Sequence, residues 1–145
     1  CWQNMQTRIC GIRRNQRGRK RCWKNRVLLD ANVILRYLLN DDERMASEAE
    51  NIIKNMPVQV TIEIVAEVVY VLKGVYHIGR MEIGQCLLDF LAEVNTTEPD
   101  VLKLGIETFA KQNLDFPDCI LYAYHMVKGY EVKTFDRKLI KLLAK

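Results

Sequence analysis

Apolar side chains from residue 26 onward recur in two alternating rhythms, which predict strands and helices in turn. A short apolar run at 27–30 and the segments 58–61 and 130–135 predict strands. Helical spacing predicts helices at 32–39, 43–55, 62–75, 80–94, 99–112, 116–128 and 137–143. The clearest is 62–75, where Val65, Val68, Val69 and Leu72 form one apolar stripe at i, i+3, i+4 and i+7. Pro117 marks the start of the sixth helix and Gly129 its end. Strands that alternate with helices imply an α/β fold: three layers, α/β/α, around a central parallel sheet. Ligands of such sheets bind beyond the carboxyl ends of the strands. The polar residues expected there are Asp30, Thr61, Thr134 and Asp136.

Composition narrows the class. A chain of 145 residues with 49% apolar and 28% charged side chains suits one globular domain. No apolar run approaches the roughly 18 residues of a membrane span, and no apolar stretch of a secretory signal follows the basic start. The expectation is a cytoplasmic protein with no membrane partner. Charge is distributed unevenly. Of the 22 Lys and Arg, nine lie in residues 1–26, where there is no Asp or Glu. The other 13 face all 18 acidic side chains, so residues 27–145 carry a net charge of −5. Residues 1–25 lack periodicity and are expected to be a basic disordered extension, either upstream sequence or an RNA-binding arm, ahead of a domain at 26–145. Five cysteines without a CxxC pair imply neither a disulfide framework nor a zinc site. Cys86 and Cys119 sit in apolar helical patterns and are expected to be buried thiols.

Four carboxylates stand out. Asp30 ends the first predicted strand and precedes a helix, a position that also suits an N-cap. Glu67 is the only charge between Ile64 and Leu72, and it points away from the apolar stripe together with Glu63. Asp118 falls in the first turn of the helix that Pro117 opens, behind Asp115 as the natural cap. Asp136 lies at another predicted strand end and helix start. Each has a plain local explanation as a cap or a solvent-facing side chain. Three of the four fall at one end of the expected sheet or in a helix beginning there, and carboxylates sharing a cleft would repel unless a cation relieved them. With no His or Cys among them, oxygen-preferring Mg²⁺ or Mn²⁺ is the expected ion rather than zinc.

These motifs resemble the PIN domain, and most closely the VapC-type ribonuclease toxins of toxin–antitoxin pairs. LLDANVILRYLLNDD (28–42), VTIEIVAEVVYVL (60–72), LDFPDCILYAYHMVKGYEV (114–132) and TFDRKL (134–139) carry the resemblance. It covers the chain from Val27 to the C-terminus. The resemblance implies that Asp30, Glu67, Asp118 and Asp136 form an acidic quartet that binds metal and acts in catalysis, with Asn32, Thr134, Thr61 and Asp115 in support. It implies metal-dependent endonucleolytic cleavage of single-stranded or looped RNA, a cognate antitoxin as partner, and a homodimer. The rival is a PIN-like module that holds RNA or protein without cutting. A neutral residue at one of the four positions would favour that rival, and none is neutral. Receiver domains need paired acids and a late lysine. HAD phosphatases need an Asp-x-Asp after the first strand, where this chain reads Asp30-Ala31-Asn32.

Overall fold

The computed structural model describes residues 26–145. The expectation for residues 1–25 lies outside the described residues. Three short strands, β1 (Val27–Leu28), β2 (Val58–Val60) and β3 (Asn95–Thr96), form a parallel sheet in the order β1-β2-β3. Val27 pairs with Val58, and Gln59 with Asn95. Between β1 and β2 run α1 (Ala31–Leu39) and α2 (Glu43–Asn55), and between β2 and β3 run α3 (Ile62–Gly74) and α4 (Arg80–Leu91). After β3 come α5 (Pro99–Lys111), α6 (Phe116–Lys128) and α7 (Arg137–Leu143). Parallel strands require such crossovers, and the result fits the expected three-layer α/β/α fold.

Local chemistry sets the helix ends. The Asp42 carboxylate accepts from Met45 N–H at 3.1 Å and starts α2. Gly129 stops α6 with a left-handed φ of 71°, and its N–H returns to the His125 carbonyl at 3.0 Å. On α3, Val65, Val68, Val69 and Leu72 are all buried, as the apolar stripe predicts. The central strand β2 is buried at every residue. Tyr37 of α1 meets Phe90 of α4 with ring centroids 5.8 Å apart. Helix α5 packs between α4 and α6 through two glycines. A Cβ added at Gly84 would stand 2.8 Å from Ala110 Cβ, and one at Gly105 would stand 2.5 Å from Ile120 Cδ1. Among the described residues, no helix is long and apolar enough to cross a membrane.

The third strand differs from expectation. Residues 130–135 do not join the sheet, and Asn95–Thr96 does. Local contacts hold the segment after α6 instead. Tyr130 stacks on Tyr124 at 5.9 Å, the Tyr130 carbonyl meets His125 Nδ1 at 2.8 Å, and Thr134 Oγ1 accepts from the Asp136 N–H at 3.1 Å. Thr134 and Asp136 therefore lie in a loop that leads into α7, not at a strand end. The polar pair Asn95–Thr96 has no alternation by which to be noticed, and Thr97 N–H bonds the Val60 carbonyl at 3.1 Å to complete its docking on β2.

Candidate active site

Asp30 follows β1 and occupies the N-cap of α1 with extended backbone, φ −78° and ψ 155°. Its carboxylate makes no capping hydrogen bond. The plain explanation of Asp30 as a cap is thus met by backbone position alone, and both carboxylate oxygens remain available. They open on a cavity of about 340 Å³ between α1 and α3, into which Asn32 and Glu67 also project. Glu67 reaches it because its helix buries the Val65–Leu72 stripe on the other side. The cavity continues over Leu35, Leu39, Val71 and Val75, so acidic groups share it with an apolar wall.

Two polar residues of the same cavity were not among the candidates from sequence: Arg36 and Tyr76. Arg36 Nη1 donates to both oxygens of Asp41, at 3.0 and 2.9 Å, and Tyr76 Oη reaches Asp41 Oδ2 at 3.5 Å. The hydrogen bond to Asp41 and its charge hold the guanidinium above its ordinary pKa. One signal pointed to Arg36: it is the single charge in α1, on the helical face shared by Asn32, Leu35 and Leu39.

The remaining acids gather where α6 and α7 begin. Asp115 takes the N-cap of α6, again with no side-chain cap bond. Asp118 is half-buried one turn later. Desolvation pushes its carboxyl above the ordinary range, and the like charges of Asp136 and then Asp115 push it further. Asp136 does cap its helix: Oδ1 accepts from Leu139 N–H at 2.8 Å. One of its oxygens is thus committed to structure, while Thr134 fixes its backbone. Thr61 caps α3 by position, without a side-chain bond, at the carboxyl end of β2. Burial pushes the Cys86 and Cys119 thiols up to about 12, so neither supplies a thiolate near neutral pH.

The structure thus associates the quartet in two parts: Asp30 with Glu67 across the cavity, and Asp118 with Asp136. Among the described residues, no group of three His, Cys, Asp or Glu side chains stands ready to hold a metal. The donor chemistry nevertheless suits a hard dication. Mg²⁺ keeps several waters and commonly takes only one or two carboxylates plus substrate phosphates, and every donor here is oxygen.

Residues 27–144 match the PIN domain family. The chain belongs to that family. No curated protein and no solved structure matches it significantly. The match takes in all four carboxylates and every described element. PIN domains are in general metal-dependent nucleases, and this PIN domain is consistent with a nuclease that acts on RNA.

Proposed function

We propose that this PIN domain is a metal-dependent endoribonuclease that cuts single-stranded or looped RNA in the cytoplasm, as the toxin of a VapC-type toxin–antitoxin pair. The observation that carries the reading is Asp30: a cap-position carboxylate that caps nothing and shares its cavity with Glu67 and Asn32. Asp30 and Glu67 would hold Mg²⁺ or Mn²⁺ on the cavity side. Asp118 and Asp136, a like-charged pair, would gain from a cation; burial first, and then the charge of Asp136, holds the Asp118 carboxyl above its ordinary range. A dication held there would lower the pKa of a bound water and offset charge on the scissile phosphate. Asn32 offers its amide to a phosphate oxygen, and the apolar wall of Leu35, Leu39 and Val71 excludes water beside the scissile bond. Asp115 adds a third carboxylate beside Asp118 and Asp136, Thr61 offers its hydroxyl at the carboxyl end of β2, and Thr134 orients Asp136.

The partners follow from charge. Residues 27–145 carry a net −5, so an antitoxin that presents Arg or Lys to Asp30 and Glu67 would neutralise the site. A second copy would cover exposed apolar side chains such as Tyr70 and Met81, at 75% and 74% exposure, and make a homodimer. The alternative, a PIN domain that binds RNA or protein without cutting, is favoured by one observation: no three acids are gathered for a metal among the described residues.

The test is to incubate the pure protein with mixed cellular RNA, with Mg²⁺ or with EDTA, and map new ends. Metal-dependent ends that vanish in folded Asp30→Asn are expected. Cleavage that persists in EDTA refutes the metal, and binding without new ends selects the alternative. Co-expression with the adjacent small reading frame checks the antitoxin, and light scattering checks the dimer.

A further inference from the structure

We infer that Arg80 is a positioning residue for the carboxylates at the starts of α6 and α7, acting through the loop that joins α5 to α6. The inference rests on the nuclease reading above, in which Asp118 and Asp136 serve the metal. Arg80 is the first residue of α4, far in sequence from either acid. Its Nη1 lies 2.9 Å from the Gln112 carbonyl and 2.6 Å from that of Leu114, with the Phe109 carbonyl at 3.3 Å. The guanidinium carbon sits 4.4 Å from the centre of the Phe109 ring. That ring meets Phe116, the first residue of α6, edge-on at 6.0 Å.

The carbonyl between them, that of Asn113, receives Lys138 Nζ at 3.3 Å. Three consecutive carbonyls, 112 to 114, are therefore each tied by a cation: the outer two by Arg80, the middle one by Lys138. Lys138 lies two residues after Asp136, and Leu114 lies immediately before Asp115. The loop that fixes where Asp115 and Asp118 emerge is thus clamped between α4 and the helix that Asp136 caps. A loop of four residues with all its middle carbonyls held has little freedom to shift.

Arg80 acts on the acids through backbone geometry rather than as their counter-charge. Asp118 responds to burial and to Asp136 and Asp115, whereas the charge of Arg80 is felt by the neighbouring Cys119 thiol. A plain helix-capping role would also place a cation on the last carbonyls of α5. It would not need the Leu114 carbonyl, which lies beyond that helix, and it would not predict an effect on metal affinity.

The test measures Mn²⁺ binding to the full chain by electron paramagnetic resonance, at a temperature where circular dichroism shows every variant folded. Arg80→Gln is expected to weaken Mn²⁺ binding by about tenfold or more, the scale of lost outer-shell support. Arg80→Lys, which keeps a donor in partial reach of the carbonyls, is expected to fall between Arg80→Gln and wild type. In an Asp118→Asn background the Arg80→Gln loss is expected to vanish, because the side chain being positioned is gone. Unchanged Mn²⁺ affinity in folded Arg80→Gln overturns the inference. So does a full loss that persists in Asp118→Asn, which would mark general loosening. If Arg80→Gln does not fold, Lys138→Met releases only the Asn113 carbonyl and is judged by the same outcomes. Wild type that binds no Mn²⁺ overturns the nuclease reading as well, whereas normal wild-type binding with unaffected Arg80 variants overturns this inference alone.

Discussion

The α4–α5 contact can be broken by a single methyl group. Gly84→Ala places a Cβ 2.8 Å from Ala110 Cβ, and Ala110 has no side-chain torsion with which to move away. Ordinary carbon–carbon contact begins near 3.5 Å, so the helices must part by roughly 0.7 Å or more against their remaining contacts. Helix propensity favours alanine over glycine by about 1 kcal/mol, and overpacking costs about 1–3 kcal/mol. The balance is a destabilisation of about 1 kcal/mol, a fall in Tm of roughly 4 °C for a domain of this size. Urea unfolding of wild type, Gly84→Ala, Ala110→Gly and the double variant measures it as a cycle. The double variant removes the clash, so the two changes are expected to couple favourably by about 1 kcal/mol or more. Additive effects, or a Gly84→Ala protein more stable than wild type, would refute the close-approach argument. Because α5 leads directly into the clamped loop before Asp115, the same variant is expected to weaken Mn²⁺ binding, while Gly74→Ala, with nothing within 4 Å of the added Cβ, is not.

Three further outcomes bear on the site. Burial and like charge raise the Asp118 pKa in the fold, so its ionised form is penalised there. That penalty is absent below the ordinary Asp value of 3.8 and complete once pH exceeds the raised folded value. Asp118→Asn is therefore expected to melt above apo wild type at neutral pH, with the advantage fading in acid; an advantage that grows as pH falls would contradict the assignment. Asp136→Ser keeps a capping oxygen for Leu139 N–H and Asp136→Ala does not, so only the alanine variant is expected to lose about 1 kcal/mol of stability. Both are expected to lose RNA cleavage, and an active serine variant would limit Asp136 to structure. Alkylation at pH 8 with mass mapping is expected to leave Cys86 and Cys119 unmodified until denaturant is added; labelling of the native protein would contradict their burial.

The sequence by itself was enough for the features that depend on near neighbours. The buried stripe of α3 follows from four apolar residues at helical spacing, the end of α6 from the φ that Gly129 alone adopts cheaply, and the α/β class from alternating rhythms. It also carried the four motifs of the PIN domain, because those are strings of consecutive residues. It misjudged 130–135, a segment that reads as a strand but is held by Tyr124, His125 and Thr134 within its own neighbourhood, and it passed over Asn95–Thr96. A two-residue strand has no period, and what makes it a strand is the free edge of Val58–Val60 some 35 positions earlier in the chain. The same reason governs the site. Asp30, Asn32 and Arg36 share a helix and could be grouped by spacing, but Glu67 and Tyr76 join their cavity only through the packing of α3 on α1. Whether a cap-position acid caps was likewise undecided by its identity: the Asp136 carboxylate accepts from Leu139 N–H, and the Asp30 carboxylate makes no capping bond. Arg80 is the extreme case, a residue with no motif, whose three carbonyl partners lie about 30 residues away and become neighbours only because α5 folds back between α4 and α6.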